Sequence, residues 1–467
     1  IYIFTSIPAT ELSSTNFQLS NLSFQECSAS GAGNNLHIRS PNTQNTGIAI
    51  AANSLVTVKV LSDLYTNEQY SNDYMGIDES KVNNGNAHYS DHQALFLAAQ
   101  LGFITKEYYI QSTDSSDEND CSSSSPCKTI INILSQQLPT GFVKGLSISI
   151  FNLLNETSDQ TNMIISSETK LNNIITIQSD GYMTRRTEYT KQSILTSLFD
   201  TPLFTISNTG RLKLFGLHFD NLNPFSTATT PLILISESYD NQNPQVIIKD
   251  CIFEQINHEA NLLNHTLMIT SGGTLLIENT LIQNYEFING QRVIELGSSG
   301  QYLVDIVNSE FKNIHQDTNN QQGGAVISGN FDYGILLRIR DQCKFNNITS
   351  TGQGGAIYTT GDYVVIEINR VSFIQCKGIS GGAIFASSKS RLSLTIDNQS
   401  EFKQCEIIGN NENQGGGAIY LMTQEWGFRS TQVNIRNSIF EECKSNNLEG
   451  GAILIKILSF ESTCVID

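Results

Sequence analysis

Proline, tryptophan and positive charge are all scarce in this chain. Its 467 residues include 8 Pro and 1 Trp, and 27 Lys and Arg stand against 45 Asp and Glu, for a formal net charge of -18. A strongly acidic chain is repelled by nucleic acid phosphates and anionic lipids, so we expect neither as a partner. No run of about 18 apolar residues occurs, so the sequence predicts no membrane-spanning helix.

Two short motifs recur together in the last third of the chain. The first, a glycine pair followed by Ala and an aliphatic residue, begins at Gly323, Gly354, Gly381, Gly416 and Gly450. The second, a Phe followed three residues later by Ile or Cys, begins at Phe311, Phe345, Phe373, Phe402 and Phe440. Two motifs that recur in a fixed order indicate one structural unit stacked on itself.

The repeat has a length that restricts its architecture. The Phe motif also occurs at Phe219 and Phe253, a weaker copy has Ile282 in the same position, and the mean period is about 32 residues. Strand-like runs of Val, Ile and Leu, often alternating with polar residues, precede most copies, and helical spacing is not sustained. Propeller blades need roughly 40–50 residues, and the Leu/Asn frame of leucine-rich repeats is missing. The sequence therefore predicts an all-β fold, a parallel β-helix.

Equivalent positions of a parallel β-helix lie about 4.8 Å apart along its axis. We therefore expect Phe to stack on Phe inside the coils, and the residue three positions further on to form a second stack beside it. That second stack would contain Ile256, Ile314, Ile348, Cys376, Cys405 and Cys443. The glycine pair suits a tight corner, where a positive φ carries no Cβ penalty and backbones approach closely.

The paired glycine and Phe motifs resemble the repeats of polymorphic outer-membrane proteins, which also occur in very large surface proteins of free-living protists. The resemblance is strong over residues 200–460 and weak over residues 16–40. It implies an extracellular, right-handed parallel β-helix of the pectin-lyase-like type, used for adhesion or surface structure. It does not imply catalysis.

The motifs divide the chain into three predicted segments. Residues 1–60, with a motif at Phe24–Cys27, are expected to be the terminal coils of a preceding β-helix. Residues 61–125 lose the period, are acidic and rich in Tyr and Asn, and are expected to form an irregular connector. Residues 126–467 are expected to form a second β-helix. On this interpretation the sequence is a segment of a longer repeating polypeptide, or one unit of a fibre.

A short capping helix is predicted near residues 126–138. Ser125 would be the N-cap and Pro126 the first helical residue. Its apolar face would consist of Ile130, Ile131, Leu134 and Leu138. Such a helix covers strand edges that would otherwise pair with another chain.

The 9 cysteines are expected to play different roles. Cys121 and Cys127 flank a short polar stretch and are predicted to form a disulfide, with a metal pair or free thiols as alternatives. In the Phe-motif stack, Cys376, Cys405 and Cys443 are expected to be small buried side chains, with bridges between adjacent coils as the alternative. Cys251 and Cys343 occupy another repeated position, two residues before the Phe.

Five Asn-X-Ser/Thr sequons occur, at Asn21, Asn155, Asn264, Asn347 and Asn398. The chain is so rich in Asn that chance would supply this number, so the count is no evidence for secretion. Given the extracellular resemblance, each sequon is a candidate site for an N-linked glycan. Asn347 is the favoured site, because the chain should turn outward just after a Phe motif.

Two polar stretches could hold a metal ion. His88 and His92 are four residues apart with Asp91 between them, but their surroundings favour a solvated loop. The acidic run from Asp114 to Asp120 could bind calcium, but it lacks the ligand spacing and the Gly of an EF-hand loop. Its sequence favours a solvated linker. No metal site and no cofactor is therefore predicted.

Catalysis is not expected. A polysaccharide lyase or hydrolase of this fold would place acids or calcium ligands with Arg, Lys or His on one face of neighbouring coils, whereas Asp and Glu are scattered here. We expect a non-catalytic structural or adhesive module, and the partners would be glycans and copies of itself or neighbouring units end to end. The alternative is a carbohydrate-binding or polysaccharide-degrading β-helix enzyme.

A candidate surface stripe follows the glycine corners. Strand alternation places Tyr358, Phe385 and Tyr420 on the face opposite the preceding aliphatic residues. If those aliphatic residues point inward, the aromatic rings lie outside, where they could stack on sugars or meet another protein. The alternative is that inserted loops cover the rings, or that the facing is reversed.

Overall fold

The chain forms two compact units, each described separately below. The computed structural model describes residues 1–25, 27–29, 32–53, 55–59, 64–65, 72–82, 91–96, 105–137, 139, 148–157, 162–182, 189–195, 201–220, 229–239, 243–255, 262–297, 300–331, 335–409, 414–423, 431–445, 449–458 and 462–467. The N-terminal unit consists of Ile1–Lys106 and Pro139–Ile148. The C-terminal unit consists of Glu107–Leu138 and Ser149–Asp467.

Three long sheets build the C-terminal unit, and we name them A, B and C in the order in which each coil visits them. Sheet A has 12 strands: Thr105–Ile110, Ile148–Leu153, Ile174–Ser179, Arg211–Phe215, Gln245–Lys249, Gly273–Glu278, Tyr302–Val307, Ile335–Arg340, Tyr363–Asn369, Arg391–Asp397, Gln432–Ile435 and Thr463–Ile466. Sheet B has 12: Gln192–Leu195, Leu217–Asp220, Ile252–Glu254, Leu262–Leu263, Leu281–Phe287, Glu310–Gln316, Lys344–Ser350, Ser372–Ile374, Lys377–Gly378, Glu401–Lys403, Glu406–Ile407 and Ile439–Glu441. Sheet C has 10: Met163–Ile165, Phe204–Ile206, Ile233–Ile235, Met268–Thr270, Ile294–Leu296, Ile327–Phe331, Ile357–Gly361, Ile384–Ser388, Ile419–Thr423 and Ile453–Lys456.

These sheets form a parallel β-helix, which confirms the predicted fold class. From Ile148 onward each strand pairs in parallel with the equivalent strand of the next coil. Aliphatic side chains from the three sheets fill one continuous core along the unit. The right-handed sense of the coils stays a prediction, in agreement with the strong preference of parallel crossovers.

The Phe motif forms one stack along sheet B, as predicted. The paired positions run through Phe219, Phe253, Ile282, Phe311, Phe345, Phe373, Phe402 and Phe440. Ring centroids of Phe345 and Phe373 lie 4.6 Å apart, and those of Phe373 and Phe402 lie 4.9 Å apart, with nearly parallel planes. The ring spacing equals the spacing of the coils, so each ring packs on the next without moving the backbone.

The glycine pairs form the corners that lead into sheet C. Gly354 has φ +68, and a Cβ there would lie 2.1 Å from the carbonyl oxygen of Ile357. The second glycine meets the next coil, because a Cβ on Gly355 would lie 2.1 Å from the carbonyl oxygen of Gly382. In the first copy the conformation is shifted by one residue, since Gly324 has the positive φ.

The first coils of the C-terminal unit are closed by a disulfide hairpin and a helix. Cys121 and Cys127 are joined by a disulfide, with their Cα atoms 4.6 Å apart. The predicted helix is present but shorter, spanning Ile130–Leu134 with Thr129 as its N-cap. Ser125 and Pro126 precede it, because the backbone of Cys127 pairs with Tyr109 and Gln111 and holds this segment extended.

The predicted apolar face of this helix is correct in part. Ile130 and Leu134 are buried in the main core, together with Ile133. Ile131 points outward and is 39% exposed, so its assignment to the apolar face was wrong. Leu138 lies outside the described residues.

The N-terminal unit contains a smaller stack of strands. One sheet orders its strands as Tyr2–Phe4, Leu36–Ser40, Tyr74–Asp78 and His92–Ala94, and a second pairs Leu19–Leu22 with Val56–Val58. The strands pair in parallel except His92–Ala94, which is antiparallel and lies at the edge of its sheet. Short 3-10 helices span Ala9–Glu11 and Glu79–Lys81.

The structure corrects two expectations for this region. The stack continues beyond residue 60, because Tyr74–Asp78 pairs with Leu36–Ser40, so the expected connector contains regular strands. An α-helix, Thr43–Ala52, lies between Leu36–Ser40 and Val56–Val58 and was not predicted. The side chain of its N-cap, Asn42, accepts a hydrogen bond from the backbone N of Asn45 at 2.8 Å.

Truncation of one stacked ring tests the packing of the core. We expect Phe373→Ala to lower the free energy of unfolding by about 3–5 kcal/mol, because the ring is fully buried between two others and its loss leaves a cavity. Ile374→Ala, on the neighbouring half-buried side chain, is the control and should cost much less. The two variants are compared by urea denaturation, and equal losses would contradict this account.

Candidate functional site

The predicted aromatic stripe exists, but it is not an open surface. Tyr358, Phe385 and Tyr420 stack on the outer side of sheet C, with centroids 5.3 and 5.1 Å apart, as a cluster separate from the main core. Their side chains are nearly closed to solvent, at 9% exposed for Tyr358 and 4% for Phe385 and Tyr420. The glycine corner of each preceding coil lies against the next ring-bearing residue, as Gly354 does against Phe385. The stripe is therefore a second, smaller packed layer.

A row of amide side chains, with the carboxylate of Glu442 as its last member, runs along the outer side of sheet B. It contains Asn284, Asn313, Asn347, Gln375, Gln404 and Glu442, all with positive φ. Hydrogen bonds link the first three members to one another and the last three to one another: Asn347 Nδ2 donates to Asn313 Oδ1 at 3.0 Å, and Gln404 Nε2 donates to Glu442 Oε2 at 2.7 Å. Each of the last five members follows its Phe by two residues, so the row was visible in the sequence and was missed.

A polar groove of about 360 Å³ lies beside this row. Its lining consists of Asn347, Gln375, Lys377, Gln404, Glu406, Glu442 and Lys444. Lys377 Nζ donates to Glu406 Oε1 at 2.6 Å, so the two walls are an amide row and a row of paired charges. Such a surface offers many donors and acceptors in the open, which suits a hydroxylated ligand more than an apolar one.

Charged side chains outside sheet A are paired across the coils. Arg340 binds Asp305 through Nε at 3.1 Å, and Arg338 Nε binds Glu367 at 2.8 Å. Arg338 also lies 3.9 Å from Asp305, so these side chains form one ion-pair network that links consecutive strands of sheet A.

The acidic run from Asp114 to Asp120 is part of the folded hairpin. Asp117 Oδ1 accepts hydrogen bonds from the backbone N of Lys128 at 3.1 Å and of Thr129 at 2.8 Å, and Oδ2 accepts from the hydroxyl of Thr129 at 2.8 Å. Its carboxylate therefore anchors the start of the capping helix. Among the described residues, no group of three or more His, Cys, Asp and Glu side chains could hold a metal ion.

His92 is paired with a histidine that the sequence did not suggest. His37 Nε2 and His92 Nδ1 are 2.8 Å apart, which joins the edge strand to the sheet of the N-terminal unit. Burial, and then the nearby His92, lower the pKa of His37 to about 4. The other member of the predicted metal pair, His88, lies outside the described residues.

The five sequons differ in how accessible their Asn side chains are. Asn21, Asn347 and Asn398 are exposed. Asn155 is half-buried: its Oδ1 accepts from the backbone N of Ser112 at 3.1 Å and its Nδ2 donates to Thr113. Asn264 is also half-buried, and its Oδ1 accepts from Asn289 at 2.9 Å.

The cysteines of the repeats are buried thiols for most of the stack. Cys251, Cys343, Cys376 and Cys405 are free and buried, and Cys443 is half-buried. Burial raises the pKa of Cys251 and of Cys343 to about 12, so both stay protonated at neutral pH.

The geometry defines the class of protein: a parallel β-helix of stacked repeats whose outer faces carry polar rows. A family model for the Chlamydia polymorphic membrane protein repeat matches residues 342–360. This segment contains the Phe345 motif and the corner at Gly354, so the match confirms the resemblance on the two motifs that suggested it. Comparisons with curated proteins and with solved structures give no match. No helix within the described ranges is long and apolar enough to cross a membrane.

The histidine pair predicts a pH-dependent N-terminal unit. The pKa of His37 is lower in the folded chain than its ordinary 6.5, so the unfolded chain binds more protons between pH 6.5 and about 4. The contribution of His37 to the free energy of unfolding should therefore be complete above pH 6.5, and it should be lost as the pH falls toward 4.

Hydrogen exchange of peptides covering Leu36–Ser40, corrected for intrinsic rates, measures this effect at pH 7.5 and pH 5. The variant His37→Gln keeps a hydrogen-bonding side chain without titrating, and it should lose most of the pH dependence. Identical protection of the natural chain at the two pH values would contradict the prediction.

Accessibility predicts which sequons carry glycans. After expression in a secretory eukaryotic host, we expect higher occupancy at Asn21, Asn347 and Asn398 than at Asn155 and Asn264, because the first three side chains are exposed and the last two are half-buried. Glycopeptide mass spectrometry measures occupancy at each site. Occupancy of Asn155 equal to that of Asn347 would contradict the ranking.

Proposed function

We propose that the chain is a non-catalytic structural and adhesive module of a large cell-surface protein or glycoprotein filament built from tandem β-helix units. The matched repeat is named for a Chlamydia membrane protein, which supports a place at the cell surface, and we propose an extracellular location. N-linked glycans on the outer faces are part of this proposal, and no other bound group is needed.

The observation that carries the proposal is the stacking of the coils. Within the described residues, the strands of sheets A, B and C continue in parallel from coil to coil, and one core runs along them. Each coil contacts only its neighbours, so stacks of this kind can follow one another in tandem.

The N-terminal unit also contains stacked parallel strands. Tyr2–Phe4 pairs with Leu36–Ser40, and Leu36–Ser40 pairs with Tyr74–Asp78. Two units of this construction in one chain support a tandem array that associates end to end with copies of the chain or with neighbouring units.

A proline in Thr463–Ile466, the outermost described strand of sheet A, tests association of this chain with its own copies. The backbone N of Thr463 donates to Thr431 and that of Asp467 to Ile435, so by alternation the N–H of Ile466 points away from Gln432–Ile435. We expect Ile466→Pro to remove this donor without breaking the fold, and so to abolish concentration-dependent self-association. Ile466→Val is the matched control and should associate like the natural chain.

Sedimentation velocity over a range of concentrations, with electron microscopy of the same samples, measures the effect. A chain that stays monomeric at every concentration, or self-association that Ile466→Pro leaves unchanged, would contradict the end-to-end part of the proposal.

A carbohydrate-binding or polysaccharide-degrading role is the second candidate, and the polar groove beside Gln375 and Gln404 favours it. Two measurements on the purified chain distinguish an adhesive module from an enzyme: its binding to arrayed polysaccharides, and the release of new reducing ends from those polysaccharides. Binding without release would support an adhesive module, whereas release would favour an enzyme. A Gln404→Ala variant tests whether any binding uses the groove.

A further inference from the structure

Three free thiols occupy one position of three consecutive coils. Ile374 pairs with Lys403, and Lys377 with Glu406, so Cys376 lies opposite Cys405. Lys403 pairs with Glu441, and Glu406 with Lys444, so Cys405 lies opposite Cys443. The register is the same on both sides of each cysteine, which leaves no freedom for them to slip apart.

The three side chains also point the same way. Each thiol donates to the carbonyl oxygen of the Phe in the preceding coil: Cys376 to Phe345 at 3.7 Å, Cys405 to Phe373 at 3.5 Å and Cys443 to Phe402 at 3.4 Å. The proximity of neighbouring thiols contributes to the raised pKa of Cys405 and of Cys443. Strands of a parallel sheet lie about 4.8 Å apart, within the Cα separation of about 4.4–6.8 Å that a disulfide spans.

Accessibility distinguishes the members of the row. Cys376 and Cys405 are fully buried, whereas Cys443 lies in the outermost described coil of sheet B and is half-buried. An oxidant in solution therefore reaches Cys443 first, and the thiol next to it is Cys405. In the coils before Cys376 the same position is Tyr285, Ile314 and Ile348, so within the described coils the row of thiols begins at Cys376.

We propose that Cys405 and Cys443 are a disulfide-forming site that closes one coil of the β-helix into a covalent ring. The co-reactant is a low-molecular-weight disulfide. The Cys443 thiolate attacks it, forming a mixed disulfide and releasing one small thiolate. The Cys405 thiolate then attacks the Cys443 sulfur, forming the protein disulfide and releasing the second small thiolate, and the protons of the two cysteines end on the two small thiols.

The bond has a mechanical consequence. From Cys405 the chain passes through Ile419–Thr423 in sheet C and Gln432–Ile435 in sheet A before it returns to Cys443 in sheet B. The ring therefore encloses one complete coil. Removal of this coil by pulling or fraying then requires breakage of a covalent bond, in addition to hydrogen bonds and packing.

The surroundings of Cys443 slow disulfide formation at neutral pH. The pKa of Cys443 is raised well above its ordinary value, first by the hydrogen bond with Cys405 and then by burial. The reactive thiolate is therefore rare at neutral pH, and the bond should form faster as the pH rises.

The test uses glutathione disulfide and the folded full chain, which makes it independent of where the protein resides. Exposed Cys27 and Cys464 are replaced in a Cys27→Ser, Cys464→Ser background, so that they cannot form mixed disulfides. After incubation at pH 8.5, unfolding and thiol counting, we expect the five remaining free cysteines to fall to three. Peptide mapping should find the Cys405–Cys443 link.

Three variants in this background separate the alternatives. Cys376→Ser should leave the link intact, Cys443→Ser should prevent it, and Cys405→Ser should leave glutathione attached to Cys443. In the chain that keeps Cys376, Cys405 and Cys443, backbone hydrogen exchange of Ile439–Lys456 should be at least several-fold slower after oxidation than in the reduced form. A Cys376–Cys405 link, glutathione that remains on Cys443 beside an intact Cys405, or five unchanged thiols would overturn the proposal.

Discussion

The structure depends on one constraint: equivalent residues of successive coils lie about 4.8 Å apart in exact register. At this distance each side chain has its counterpart in the next coil as a neighbour. A stack is then stable only if the residue packs well on a copy of itself. Flat rings such as Phe373 and Phe402 do so because their thickness is less than the coil spacing, and their centroids lie 4.9 Å apart.

The same constraint organises the corners and the outside of the coils. At the corners the backbones of two coils meet, and a Cβ on Gly355 would overlap the carbonyl of Gly382. Outside sheet B, Gln404 donates to Glu442 of the next coil. Outside sheet A, Arg338 binds Glu367 across the same step. Rings, glycines, amides and charges therefore form rows for one geometric reason, and the polar groove is the space between two such rows.

The sequence predicted the repeating features more fully than those that occur once. The Phe stack and the glycine corners were predictable because the two motifs recur in a fixed order in successive repeats. Each motif independently indicates which residues of neighbouring coils lie side by side. The α-helix Thr43–Ala52 was missed because it occurs once, and its Gly47 is a weak helix former that is required only because it lies against the backbone of Leu95. The capping helix was placed too early, because the pairing of Cys127 with Tyr109 and Gln111 competes with helix formation and is not local.

The sequence by itself determined the period, the parallel coils and the inward side chains. Each repeat carries the same pattern of apolar residues and glycines, and stacking places equivalent residues of neighbouring coils side by side. The tertiary structure alone decided which outer rows stay open. Tyr358 and Phe385 are outside sheet C as alternation requires, yet they stack on each other and are nearly closed to solvent, whereas the amides beside Gln375 remain accessible. Closure of this kind depends on contacts between side chains of successive coils, which exist only when the coils are packed.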